Sequence, residues 1–423
     1  MTNIARGVID MGTERMEKLL EKLDFPQRKI DAEIVHVTGT NGKGSVVEMV
    51  ATSLSNLGKT VGTFTSPFLV FETDSIRTFV PSLESGVFAT IHKIPESTLN
   101  KIRDEILSSF SDNALFPDEQ PTDFEVLFAC CVVFFARFRK VDILIVEVGM
   151  GGRDDATNVF HHRPTICILT GVALDHEKFL GDTLEKICEN KCGIVHANCR
   201  VVLGDLSPAL RDLASRTCFQ NGALSIERPS HEFVEMMEPP LNGAHQKYLT
   251  AIASTVVSLI TGAVNKTIAR SIANTKLPGR LERRLDEKVA FPVILDGAHN
   301  VESAIALRRF LDDEIRNSKV RKELLWIIAT SEGREKILPH LLRAGETCVC
   351  IRFESQQRVE WIKCASPNHI SAIAKSLGCE AHVIEGCVEE GLEFVRTSFP
   401  NVEGKIVVVA GSLYLVRNYL RYV

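Results

Sequence analysis

The stretch AEIVHVTGTNGKGSVVEMVATSLSNLG, residues 32–58, reads as a short apolar strand, a glycine-rich loop and a helix. Gly39, Gly42 and Gly44 let backbone N–H groups turn toward an anion, and the helix N-terminus adds partial positive charge. Lys43 brings a point charge suited to the outer phosphates of a nucleotide triphosphate. The spelling departs from the strict G-x-x-x-x-G-K-[ST] pattern, because Gly44 stands between Lys43 and Ser45 and the first glycine lies two residues nearer. A tight strand-to-helix connection would use the same glycines; the lysine in this context is what favours phosphate.

Outward from this loop, short β-branched runs recur at 34–37, 60–64, 141–148, 165–170 and 200–203, each followed by turn residues and a helical pattern. Such alternation predicts an α/β fold with a mostly parallel sheet and helices on both faces, because parallel strands need crossover connections. A second set lies at 293–295, 324–329, 348–353, 382–384 and 406–410. The spacing predicts two domains, an N-terminal P-loop-type one over 1–276 and a smaller, Rossmann-like C-terminal one over 277–423. The joint falls where a helical stretch stops before Pro278-Gly279. Residues 81–122 carry helical patterns and a polar loop around 111–121.

The chain has 423 residues and is 45% hydrophobic, enough for two cores of ordinary size. A net charge of −5, with no run of Lys and Arg, argues against nucleic acid as a partner. The 12 cysteines are scattered without paired C-x-x-C clusters, which fits buried reduced thiols in a cytoplasmic protein rather than a zinc site. Cys348 and Cys350 should share one face of a strand. The N-terminal residues have the spacing of an amphipathic helix, with Met16, Leu19, Leu20 and Leu23 on one face, and no window is apolar enough to span a membrane.

Two further strings carry metal-type residues. In VDILIVEVGMGGRDDATN, 141–158, Glu147 falls at the carboxyl end of a buried strand, where open α/β sheets bind ligands and where the Mg²⁺ that accompanies ATP finds hard oxygen ligands. The same carboxylate could simply cap the following turn. In LTGVALDHEKFLGDTLEKICENKCGI, 169–194, Asp175 and His176 follow another strand and a helix carries Lys191. An Asp-His pair alone reads equally as a structural hydrogen bond.

The strings TGTNGKGS, FTSPFLV, EVGMGGRDDATN, LDHEKFLGDTLEKICENKCGI, GAHQ, PGRLE, LDGAHN and AGSLYLV occur in that order and closely resemble the folylpolyglutamate synthase and dihydrofolate synthase family, relatives of the Mur ligases. The resemblance runs from Gly12 to Tyr414. It implies that a pteroate or folate carboxylate attacks the γ-phosphate of ATP, and that the amine of L-glutamate then displaces phosphate from the acyl phosphate. Such chemistry relies on positioning and charge neutralisation more than on a protein nucleophile.

By motif, the resemblance implies that Thr40, Asn41, Gly42, Lys43, Gly44 and Ser45 hold the triphosphate, and that Ser66, Glu147 and His176 bind a first magnesium. Lys191 matches a lysine the family carbamylates, which would make it a ligand for a second. Arg280 would approach ATP, Asp296 its ribose and His299 its phosphates. Thr122, Asp123, Phe124 and Asp154 would line the pterin pocket; apart from the resemblance, Phe124 reads as a core aromatic and Glu125 beside it as a helix surface residue. Lys43, His176, Lys191 and His299 are thus the candidate catalytic residues.

Some positions depart from the family pattern. Phe68 follows Ser-Pro where many members have His, Asp74-Ser75-Ile76 replaces E-R-I, Leu249 replaces the Asn of H-Q-x-x-N, and Val301 replaces a Pro. The Asp74 variant and the opening G-T-E-R-M-E-K-L-L resemble fungal dihydrofolate synthases. The expectation is addition of the first glutamate to 7,8-dihydropteroate by a monomeric cytoplasmic enzyme. The alternatives are extension of the glutamate tail of tetrahydrofolate, or both activities on one chain. A catalytically silent nucleotide-binding protein and a cell-wall ligase are the remaining alternatives.

Overall fold

A computed structural model describes residues 11–82, 88–111, 120–161, 164–289, 291–318, 322–354, 362–399 and 404–423. The chain divides into two compact units, Met1–Pro240 with Gln246–Lys276, and Leu241–His245 with Leu277–Val423.

The first unit is built on an 8-stranded sheet. Its strands are β1 (Glu33–Thr38), β2 (Val61–Phe64), β3 (Ile76–Val80), β4 (Thr90–Lys93), β5 (Ile143–Glu147), β6 (Pro164–Gly171), β7 (Arg200–Asp205) and β8 (Ser225–Glu227). Their order across the sheet is β4-β3-β2-β5-β1-β6-β7-β8. From β2 to β8 the pairing is parallel, while β3 and β4 extend the sheet antiparallel. Three of these strands correct the sequence reading: 76–80 and 225–227 carry no strand assignment there, and 90–93 lies in a segment expected to be helical. All four residues of β4 are exposed, so it lacks the apolar alternation that marks a strand. Residues 112–119 of the expected polar loop lie outside the described residues.

Strand β1 shows why the parallel strands read as continuous apolar runs. Ile34 packs with Phe128, Leu144 and Val146 under the helix Asp123–Arg137, while Val35 and Val37 pack with Val46, Val50 and Ile252 under the helices Lys43–Asn56 and Gln246–Thr261. Both faces of the strand are therefore dry. Phe128 is fully buried, and truncating it to Ala would cost about 3–5 kcal/mol. The expected amphipathic helix is Glu14–Lys22, with Met16, Leu19 and Leu20 buried.

The second unit holds a 6-stranded sheet ordered β13-β12-β11-β14-β10-β9. Its strands are β9 (Glu282–Arg284), β10 (Val293–Asp296), β11 (Glu323–Ile328), β12 (Thr347–Cys350), β13 (Glu380–Val383) and β14 (Lys405–Ala410). All pairs are parallel except β9 with β10. Cys348 and Cys350 lie together in one apolar cluster and Val349 in the other, as the spacing requires. No single helix among the described residues is long and apolar enough to cross a membrane.

Candidate active site

The loop after β1 is shaped by close approach to β6. A Cβ on Gly39, where φ is +148°, would lie 1.8 Å from Thr170 Oγ1, so no other residue fits there. Thr40 N–H donates to the Gly171 carbonyl (3.0 Å), Thr40 Oγ1 accepts from Ala173 N–H (3.0 Å), and Thr170 Oγ1 donates to the Asn41 carbonyl (2.6 Å). Gly42, at φ +85°, is the N-cap of the helix Lys43–Asn56, whose opening turn presents Lys43, Gly44 and Ser45. Helix N-termini leave N–H groups without intrahelical partners, the usual basis of an anion site. Lys43 Nζ donates to the carbonyls of Gly39 (3.0 Å) and Thr40 (3.4 Å), which keeps its charge over the loop.

The other candidates gather at the same sheet end because their strands are neighbours. Glu147 closes β5 and is paired in register with Val37 of β1; on its other side Phe64 of β2 pairs with Val146. Ser66 follows β2 by two residues and precedes a cis Ser66–Pro67 bond. Glu147 is buried, and a Cβ on Gly44 would stand 3.9 Å from its Oε2, so the carboxylate lies over the phosphate loop. The turn after it is fastened to β1 by Thr38 Oγ1, which donates to the Gly151 carbonyl (2.6 Å).

Beyond β6, Asp175 is buried and its Oδ1 accepts the N–H of His176 (2.9 Å). His176 Nε2 lies 3.9 Å from Asp175 Oδ2, and the histidine takes a left-handed backbone, φ 53°, opening a short helix. Lys191, in the last turn of the helix Leu184–Cys192, is 3% exposed. Burial pushes its amine down to about 7, the positive charge of Lys43 adds to this, and Asp175 and Asp155 oppose it. Among the described residues no three or more His, Cys, Asp or Glu side chains converge as a metal cluster. A buried carboxylate over a phosphate loop is nevertheless the hard oxygen donor that suits Mg²⁺, which keeps waters and phosphates as ligands.

On the expected acceptor side, Thr122 caps the helix Asp123–Arg137. Its Oγ1 accepts from Glu125 N–H (3.2 Å), and Glu125 Oε2 accepts Thr122 N–H (2.7 Å). Glu125 is not the surface residue expected: it is 1% exposed and ion-paired with Arg15 at 3.1 Å, a partner far away in sequence. Asp123 and Phe124 are half-buried. The Phe124 ring leans on Gly149, where an added Cβ would come within 2.6 Å of Cζ. Asp154 Oδ2 accepts from Asn190 Nδ2 (3.2 Å).

Its neighbour Asp155 does more. It is buried, accepting from Met150 N–H (2.7 Å), Thr157 N–H (3.0 Å) and Thr157 Oγ1 (2.5 Å), and burial raises its carboxyl pKa despite these bonds. The Thr157 hydroxyl spends its proton on Asp155, so the 2.9 Å contact with His36 Nε2 has the imidazole as donor. His36, Thr157 and Asp155 thus form a buried chain beneath the Glu147 turn.

In the second unit, the Asp296 carboxylate holds two loops together, accepting from Leu281 N–H (2.9 Å) and Ala298 N–H (2.8 Å). Burial lifts its pKa to about 6, against the opposing charge of Arg280. Arg280 runs along Gly297, where a Cβ would meet its Nη1 at 2.7 Å. His299 Nδ1 donates to the Gly297 carbonyl (2.9 Å), which leaves Nε2 as the acceptor nitrogen of the neutral ring. Arg280, Asp296 and His299 therefore form one cluster.

Residues 280–422 match the family described as "Dihydrofolate synthetase, C-terminal domain". The dihydrofolate synthetase of Saccharomyces cerevisiae is 30% identical over 98% of both chains. The chain belongs to the dihydrofolate synthetase and folylpolyglutamate synthase family. The probable dihydrofolate synthetase of Schizosaccharomyces pombe is 29% identical, again over 98% of both chains. Escherichia coli FolC in complex with DHPP and ADP shares the fold, with a TM-score of 0.77, 22% identity, and coverage of 99% of this chain and 95% of that one. The expected family and two-unit α/β fold are borne out.

For a member of this family the sequence reading overlooked two residues. Asp155 was passed over for Asp154 because adjacent aspartates in G-G-R-D-D carry no mark of which one faces inward. Gln246, quoted only within the GAHQ string, is 1% exposed and its Nε2 donates to Ser45 Oγ at 3.2 Å. Nothing local in the sequence marks it, because its burial depends on a partner about 200 residues earlier.

Proposed function

We propose that this member of the dihydrofolate synthetase family is an ATP-dependent ligase that joins L-glutamate to 7,8-dihydropteroate through an acyl phosphate, giving 7,8-dihydrofolate, ADP and phosphate. The observation that carries the reading is the convergence of Lys43, Glu147 and the buried Lys191 on one phosphate loop. Asn41, Gly42, Gly44 and Ser45 cradle the triphosphate through backbone N–H groups, Thr40 anchors the start of the loop through its own N–H to the Gly171 carbonyl, and Lys43 exchanges its loop carbonyls for the outer phosphate oxygens. Charge on the transferred phosphoryl is neutralised by groups already in place, which is the main catalytic resource for such chemistry.

Ser66, Glu147 and His176 are the proposed ligands of one Mg²⁺, and Lys191 of a second. Magnesium, when bound, neutralises phosphate charge. A cationic Lys191 would repel it. Held near neutrality, the amine is available as the free base that adds CO₂, and the resulting carbamate is an anion. Thr122, Asp123, Phe124 and Asp154 are proposed to face the pterin, Phe124 offering a ring face and Asp154 a carboxylate. Arg280, Asp296 and His299 are proposed to act on the nucleotide, His299 through Nε2. Twelve free thiols suit a reducing compartment, and a monomer in the cytoplasm is the proposed setting.

Purified protein with ATP, Mg²⁺ and L-glutamate should convert 7,8-dihydropteroate to dihydrofolate with release of ADP. Faster turnover of tetrahydrofolate would replace this reading with tail extension, and comparable rates on both would make the enzyme bifunctional.

A further inference from the structure

The phosphate loop has a second wall, supplied by the first turns of the helix Gln246–Thr261. Gln246 Nε2 reaches Ser45 Oγ at 3.2 Å. One turn on, the Leu249 methyls occupy the place of a Gly42 side chain: a Cβ there would meet Cδ2 at 2.7 Å and Cδ1 at 2.9 Å. Next to it Thr250 Oγ1 donates to Met49 Sδ at 3.4 Å. Gln246, Leu249 and Thr250 are all buried, so this is a dry seam between two helices rather than a surface contact.

We propose that Gln246 and Leu249 are positioning residues for the triphosphate, Gln246 by aiming the Ser45 hydroxyl and Leu249 by holding Gly42 in its left-handed turn. Gln246 donates into one lone pair of Ser45 Oγ. The hydroxyl proton and second lone pair are then directed elsewhere, available to a phosphate oxygen or a cation. The bonds from Thr40 and Asn41 toward β6 fix the start of the loop, but Gly42 itself is the hinge between loop and helix, and glycine has many other conformations open to it. The Leu249 methyls restrict that freedom by contact alone. Neither side chain has to touch substrate.

This inference rests on the loop being the ATP site. The test is steady-state kinetics of wild type, Gln246→Ala, Gln246→Glu, Leu249→Ala and Leu249→Met, together with calorimetric titration of ATP and Mg²⁺ into each protein. Gln246→Ala and Leu249→Ala should raise the KM and Kd for ATP about tenfold, the factor given by about 1.4 kcal/mol, with the KM values for glutamate and dihydropteroate within twofold of wild type. Gln246→Glu should bind ATP more weakly still, since a carboxylate accepts the Ser45 proton and adds negative charge. Leu249→Met, which keeps the volume, should restore wild-type ATP binding.

Unchanged ATP affinity in folded Gln246→Ala, or a parallel rise in all three KM values, would overturn the proposal. If Leu249→Ala does not fold, the two Gln246 variants decide. Wild type that binds ATP without ligating glutamate would remove the proposed reaction and leave this inference to be judged on the ATP titrations. Wild type that does not bind ATP would remove both.

Discussion

The ammonium of Lys43 is folded back onto the carbonyl oxygen of Gly39, 3.0 Å away, so the cation is held over the loop before any phosphate arrives. A lysine already in place loses little further freedom on binding. Lys43→Met, which keeps the stem and removes the charge, should lower kcat with ATP about a hundredfold or more, in the range seen when one preorganised charge-stabilising group is lost. Retention of kcat with a change only in acceptor KM would remove Lys43 from the phosphate site.

Glu147 is a buried carboxylate over Gly44. Glu147→Gln keeps its shape without its charge, so the Mg²⁺ concentration for half-maximal rate should rise about tenfold or more, while the far-ultraviolet circular dichroism stays that of the wild type. An unaltered Mg²⁺ requirement would make Glu147 a structural cap.

For Lys191, incubation with ¹³C-bicarbonate should yield a carbamate resonance that is absent in Lys191→Ala. Ligase activity of Lys191→Ala should be lost and partly returned by short carboxylates. An active, fully magnesium-loaded enzyme with an unmodified amine would contradict the assignment.

Burial, reinforced by His196 and His161, pushes His36 down to about 3 from its ordinary 6.5. The unfolded chain binds this proton at a pH where the folded chain does not, so the contribution of His36 to stability is complete above pH 6.5 and is lost as pH falls toward 3. Between pH 6.5 and 5 the loss is about 2 kcal/mol. Denaturant titrations of His36→Gln should show a flatter acid limb than wild type over that window; parallel limbs would mean that His36 is not the group responsible.

In the second unit, Asp296→Ala leaves the N–H groups of Leu281 and Ala298 without their acceptor. Stability should fall by about 2 kcal/mol, and those two amides should exchange with deuterium earlier than the amides of β10. Equal protection in variant and wild type would show that another acceptor takes over.

What could be read in the sequence was what depends on neighbours along the chain. The parallel strands, the loop and the cap-rich helix starts have local signatures in β-branched runs, glycines and spacing. Strand β4 escaped because it is exposed throughout, and β8 because it is three half-buried residues long. Glu125 was misplaced because its burial depends on Arg15, and Gln246 was missed because its partner Ser45 lies on a helix much earlier in the chain. A charged or amide side chain looks the same in sequence whether it meets water or a distant partner. Asp154 and Asp155 differ only in which way the backbone turns them.

The order β2-β5-β1-β6 has a consequence for synthesis. The loop strand β1 emerges early, yet both its sheet neighbours are encoded far downstream, and Gln246 and Leu249 later still. A chain made from its N-terminus, at about 5–20 residues per second, therefore exposes Gly39 to Ser45 well before anything can shape them. ATP cannot serve as an early template for the half-made first unit; it rewards only the finished one, and a ribosome-bound chain ending before residue 246 should fail to retain nucleotide.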